Sequence, residues 1–155
     1  MFPKKEARIP FTREGYDKIF TQRDTLLAER PDAVENLRKA REMGDLSENG
    51  YYKAARARLS FLDSRLRRLA RLVRLGVVVA SSGSGRVEIG SNVTITDGKT
   101  THTYTIVGGY ESDPSKNTIS YISPIGKALM GKREKDVVEV GIPKGIVRYT
   151  VIKVT

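Results

Sequence analysis

Between Tyr52 and Val73 the apolar residues Tyr52, Ala55, Leu59, Leu62, Leu66, Leu69 and Val73 recur at alternating intervals of three and four. That spacing lays a single stripe along an α-helix, the a/d seam of a coiled coil, and the stripe must be covered by another helix. The partner is sought upstream. Thr12 predicts a helix start: its hydroxyl can cap the first turn, Glu14 suits the positive end of the dipole, and Phe11 and Tyr16 take the two positions of a hydrophobic staple. The upstream seam is expected to run Tyr16, Phe20, Leu27, Val34 and Leu37, with Arg23 and Arg30 intruding at the same phase and Pro31 bending the helix. Gly44 is the obvious break. Two helices joined by a short connection pack antiparallel, so Thr12 to Leu75 is predicted to form a helical hairpin with its tip near Gly44 and Asp45. At about 1.5 Å per residue, arms of about 30 residues are about 45 Å long.

After Ala80 the texture changes from Arg, Leu, Ala and Glu to Val, Ile, Thr, Tyr and Gly. Ser81-Ser82-Gly83-Ser84-Gly85 reads as a linker or loose turn, giving an N-terminal coiled-coil domain over residues 1–80 and a second domain over residues 81–155. In the second, strands are expected at Asn92 to Thr96, Thr101 to Val107, Thr118 to Ile122, Val137 to Val140 and Ile146 to Val154. Ser123-Pro124 followed by Ile125, Ala128, Leu129 and Gly131 predicts a capped short helix with proline at its first position. The fold class is α+β: an antiparallel helical hairpin and a compact, mostly antiparallel β-sheet domain.

Composition narrows the chemistry. The chain has no Cys and one His, His102, which leaves no thiol nucleophile, no disulfide scaffold and little material for a metal site or a triad. Twenty-eight Lys and Arg against 18 Asp and Glu give a formal charge of +10, which makes a polyanion or an acidic surface the natural partner. Residues 1–80 hold 18 basic and 11 acidic side chains, net +7, against 10 and 7, net +3, in residues 81–155. From Lys53 to Arg74, eight basic residues face one acid, Asp63. Such a helix face can track phosphates, or it can be a solvated face whose aliphatic stems cover the seam. The longest apolar run, Val77 to Ala80, is too short to cross a bilayer, and no apolar stretch follows Lys4, Lys5 and Arg8. A cytoplasmic protein with no membrane partner is expected.

Acids gather at the predicted tip in Gly44-Asp45-Leu46-Ser47-Glu48-Asn49. Asp45 and Glu48 are three apart, so two carboxylates can converge on one spot, an oxygen donor set that suits Mg²⁺. The commoner use of the same spacing is an ordinary capping box, with Asp45 as N-cap and Glu48 reaching back, which needs no metal.

Two segments carry a resemblance. Ala40-Arg41-Glu42-Met43-Gly44-Asp45-Leu46-Ser47-Glu48-Asn49, continuing to Tyr52-Lys53-Ala54-Ala55-Arg56, closely resembles the tip region of the bacterial GreA/GreB transcript cleavage factors. Ser123-Pro124-Ile125-Gly126-Lys127-Ala128-Leu129-Met130-Gly131-Lys132, followed by Asp136-Val137-Val138-Glu139-Val140, resembles the signature of their C-terminal domain. The likeness spans Thr12 to Val154 and is read as GreA-like. It implies a coiled coil followed by an FKBP-like domain that docks on bacterial RNA polymerase at the mouth of its secondary channel, with Ser123, Pro124, Ile125 and Gly126 in the docking motif. The coiled coil would enter the channel and reach the 3′ end of backtracked RNA. Asp45 and Glu48 match the two tip acids that complete a Mg²⁺ site shared with the polymerase, with no ion expected on the free protein. Arg41 and Arg56 match basic positions suited to RNA phosphates, and Ser47 and Asn49 would support the tip. By the same likeness the nuclease belongs to the polymerase, so the chain itself is not expected to be an enzyme, and a monomer is expected. The family's usual Ala-Glu-Tyr after Asn49 is Gly50-Tyr51-Tyr52 in this chain. A regulator that occupies the channel without cleavage is the alternative. A prolyl isomerase is a third reading, poorly served by Tyr104, Tyr110, Tyr121 and Tyr149 as the makings of a proline pocket.

Overall fold

The computed structural model describes residues 6–44 and 49–155. Contacts divide them into two compact units, one of residues up to Tyr16 together with Gly76–Thr155, the other Asp17–Leu75. The division therefore falls at Leu75 and not at Ala80, and the N-terminal segment joins the globular unit. The reason is a pair of short strands: β1 (Ile9–Phe11) runs parallel to β2 (Gly76–Val78), and the Val79 N–H donates to the Phe11 carbonyl at 2.8 Å.

Helix α1 (Arg13–Glu42) starts as its sequence predicts. The Gly15 N–H donates to the Thr12 hydroxyl oxygen at 3.1 Å, and the Phe11 and Tyr16 rings lie 5.7 Å apart as the staple requires. Glu111 locks this start from 99 residues away: its carboxylate accepts from the Thr12 N–H at 3.0 Å, the Thr12 hydroxyl and the Gly108 N–H at 2.7 Å. Gly15 and Gly108 make room for it, since a Cβ on either would overlap the Glu111 carboxylate.

Helix α1 continues through Pro31, which is exposed. Its partner α2 spans Gly50–Leu75. On α2 the expected seam is the observed one, with Leu62 and Leu69 buried and Leu72 and Leu75 added at its base. On α1 Leu37 is buried as expected, but the rest of the seam differs. Ile19, Ala33, Leu37 and Ala40 are the buried residues, while Leu27 and Val34 are 49% and 41% exposed. Alanines at 33 and 40 made the true stripe look weak beside the bulkier Leu27 and Val34. Across the seam Arg30 forks onto Asp63, with Nε and Nη2 at 2.7 and 3.2 Å from its two oxygens. Among the described residues no helix is long and apolar enough to cross a membrane.

The globular unit carries a five-stranded sheet among the described residues: β3 (Asn92–Thr96), β4 (Thr101–Val107), β5 (Thr118–Ser120), β6 (Val137–Ile142) and β7 (Gly145–Val154), in the order β5-β4-β3-β7-β6. Asp97 shapes the β3–β4 turn by accepting from the Lys99 and Thr100 amides at 2.8 and 2.7 Å. All neighbours are antiparallel except β4 and β5, which run parallel from Thr105↔Thr118 to Val107↔Ser120, so the sheet is mixed. Between them the chain returns through residues 108–117, which include a 3-10 turn at Pro114–Lys116. Val87, Val93, Ile95, Ile106, Leu129, Val138, Val140 and Val151 form the core, with Leu129 contributed by α3 (Pro124–Leu129). The serine-rich stretch expected as a linker is an organised turn. Glu88 accepts from the Ser82 N–H at 2.6 Å and from the hydroxyls of Ser82 and Ser84, which hold its carboxyl below the usual range, the backbone bond from Ser82 foremost.

Candidate functional site

Helix α1 ends at Glu42 and α2 begins at Gly50, so the motif of the sequence reading belongs to the connection between the arms. Asp45, Ser47 and Glu48 lie outside the described residues. What frames them is well defined. Gly44 follows the last turn of α1 with φ 111°, a left-handed value that glycine adopts without strain.

Asn49 opens the other arm. Its side-chain oxygen accepts from the Tyr52 N–H at 3.2 Å, its carbonyl accepts from the Lys53 N–H at 3.1 Å, and its amide nitrogen donates to the Ala40 carbonyl at 3.2 Å. One side chain thus satisfies an orphan donor of α2 and a carbonyl near the end of α1. The support expected of Asn49 has a physical form, a clasp across the two arms. The first turn of α2 is capped by Asn49, while the capping box expected of Asp45 and Glu48 falls outside the described residues. The signal for this cap was present in the sequence as an asparagine directly before a helix-forming run.

Arg41 and Arg56 are both exposed, Arg41 in the last turn of α1, where a cation is favoured by the dipole, and Arg56 in the second turn of α2. Just below the tip Arg38 holds Glu35 through two bonds of 2.9 and 2.7 Å and reaches Glu42 at 2.5 Å. The hydrogen bonds from Arg38 pull the Glu35 carboxyl below its ordinary range and raise the guanidinium. Asp63 is likewise held low, first by its hydrogen bond from Arg30. The one acid among eight bases on α2 is therefore engaged by Arg30 of α1. Among the described residues no group of three or more His, Cys, Asp or Glu side chains gathers as a metal site.

The second motif has a structural explanation. Ser123 caps α3 by accepting from the Gly126 N–H at 3.1 Å and donates its hydroxyl to the Ser120 carbonyl at 2.7 Å, with Pro124 at the first helical position. Gly126 is buried, and a Cβ there would overlap the Ser120 carbonyl oxygen. Ile125 packs on the core, so of the four only Pro124 is exposed, as is Ile122 two residues before it.

Comparison with known proteins covers both units. The model of "Transcription elongation factor, N-terminal" matches residues 9–77, and that of "Transcription elongation factor, GreA/GreB, C-term" matches residues 82–155. The chain is 41% identical over 152 residues to the transcription elongation factor GreA of Maridesulfovibrio salexigens, covering 96% of this chain and 95% of that protein. It is 42% identical over 152 residues to that of Hyphomonas neptunium, covering 95% and 97%. Among solved structures, the GreA factor homolog 1 protein of Thermus thermophilus aligns over 96% of this chain and 99% of that one, at 25% identity and a TM-score of 0.45. With matches to both domain models in order and about 40% identity over nearly the whole length, the chain belongs to the GreA/GreB family of transcription elongation factors.

Proposed function

We propose that this chain rescues arrested transcription by lending carboxylates to RNA polymerase, which then cleaves the 3′ end of backtracked RNA. The observation that carries the reading is the helical hairpin whose connecting segment, clasped by Asn49, contains both Asp45 and Glu48. The hairpin enters the secondary channel, and the globular unit docks at its mouth through the surface around Pro124 and Ile122. Asp45 and Glu48 each offer a hard carboxylate oxygen suited to a Mg²⁺ ion held jointly with the polymerase. Such an ion supplies charge neutralisation at the phosphodiester and an activated water. Glu48 orients that water, Ser47 supports the loop, and Arg41 and Arg56 hold the phosphates of the extruded RNA. The chain has no nuclease centre of its own in this scheme, and it works as a monomer in the cytoplasm, where its polymerase is.

The test is RNA release from purified backtracked complexes in Mg²⁺. Short 3′ fragments should appear with the parent protein and vanish with Asp45→Ala, while binding to polymerase persists. Slowed nucleotide addition without any RNA release would replace this reading with that of a channel-blocking regulator.

A further inference from the structure

The asparagines of the chain are Asn36, Asn49, Asn92 and Asn117, followed in turn by Leu37, Gly50, Val93 and Thr118. Only Asn49 precedes a residue without a side chain. A backbone nitrogen can attack the side-chain amide carbon of the asparagine before it and close a cyclic imide, and a side chain on the attacking residue obstructs that closure. At Gly50 the approach is open: the residue is exposed, and even a Cβ there would meet nothing within 4 Å.

The hairpin holds both reacting groups at the edge of its second arm. Asn49 precedes the first helical residue of α2, and the Gly50 N–H is among those that the helix's own ladder leaves unpaired. The Tyr52 N–H donates at 3.2 Å to the Asn49 side-chain oxygen, the atom that gains negative charge when the amide carbon is attacked. The positive end of the α2 dipole favours the same charge. What restrains the group is the bond from its nitrogen to the Ala40 carbonyl at 3.2 Å, a single neutral contact that opens locally without unfolding the arms. Asn36 inside α1 and Asn92 in β3 have no such freedom, and each precedes a bulky side chain.

We propose that Asn49–Gly50 is a self-modification site of the folded hairpin, with water as its only co-reactant. The Gly50 nitrogen gives its proton to water and bonds to the Asn49 side-chain carbon. The bond from that carbon to Nδ2 breaks, and Nδ2 takes a proton from water and leaves as ammonia. Water then adds to either imide carbonyl and opens the ring to aspartate or to β-linked isoaspartate. Both products lack the nitrogen that donates to the Ala40 carbonyl, and isoaspartate also lengthens the backbone just before α2. The clasp across the arms is therefore lost irreversibly, whether or not polymerase is present.

The test is incubation of the purified full-length protein at mildly alkaline pH, folded and in parallel in urea, read by peptide mass and by enzymatic methyl transfer to isoaspartate. In the folded parent the peptide holding Asn49 should exchange an amino group for a hydroxyl in mass and accept methyl groups, while Asn36, Asn92 and Asn117 stay intact. Gly50→Ala should react about tenfold more slowly, because its methyl group hinders ring closure. The converted parent should show faster amide exchange at Tyr52 and Lys53, and Gly50→Ala taken through the same incubation should not. An intact Asn49 in the folded parent, with or without conversion in urea, overturns the proposal, as does an undiminished rate in Gly50→Ala. Conversion without faster exchange at Tyr52 and Lys53 overturns the loss of the clasp.

Discussion

The hairpin and the globular unit bury apolar side chains in opposite ways. In the hairpin each buried residue meets only the layers above and below it, so the seam can thin from Leu62 and Leu69 to Ala33 and Ala40 without disturbing its base. In the globular unit Val93, Ile95, Ile106, Leu129 and Val151 close on one another from several elements, all at 1% exposure or less. A one-dimensional seam tolerates local change, whereas a closed core transmits it.

Adding the same methyl group to each unit gives the sharpest test. Gly126→Ala drives a Cβ into the Ser120 carbonyl and should destabilise the globular unit by about 3 kcal/mol in urea unfolding. Gly50→Ala meets nothing within 4 Å and should leave the hairpin unchanged or raise its stability by up to about 0.5 kcal/mol. Equal losses at the two positions would break the comparison.

A smaller, local effect is expected from Asn49→Ala. Loss of the cap costs about 1 kcal/mol, read as faster amide hydrogen exchange at Tyr52 and Lys53 with β3 and β7 unaffected. Exchange that rises throughout both units would show that the tip is not an independent segment.

Acid should produce the smallest change. Asp63 and Glu88 are both held below their ordinary carboxyl values, so their contributions are complete above those ordinary values and fade as pH falls through the lowered ones. Asp63→Asn should flatten the acid limb of melting for the hairpin alone, and Glu88→Gln for the globular unit alone. Both residues are only half-buried, which keeps the effect slight and sensitive to salt.

Elements with strong local signals were legible from the chain. Thr12 with Phe11 and Tyr16 marked the start of α1, Ser123-Pro124 marked α3, and strands β3 and β4 have the bounds that alternation and the turn at Asp97-Gly98 imply. The family likeness of the tip was equally visible in Asp45, Leu46, Ser47 and Glu48. What escaped had a distant partner or a misleading bulk. The β1–β2 pair joins three-residue strands 67 positions apart, as Ile9↔Gly76 shows, and Pro10 inside β1 argues against a strand by composition alone. Leu37 of the α1 seam was read correctly, but hydrophobic bulk at Leu27 and Val34 drew the rest of the reading away from the buried Ile19, Ala33 and Ala40.

The sequence by itself determined the two-part architecture, the hairpin with its acidic connection and the family, because periodicity, caps and turn residues act over a few positions along the chain. Only the tertiary structure decided that Glu111 ties down the Thr12 helix start and that Asn49 clasps the Ala40 carbonyl across the arms. Each of these depends on which atoms meet once distant segments are packed, and spacing along one chain carries no record of such meetings.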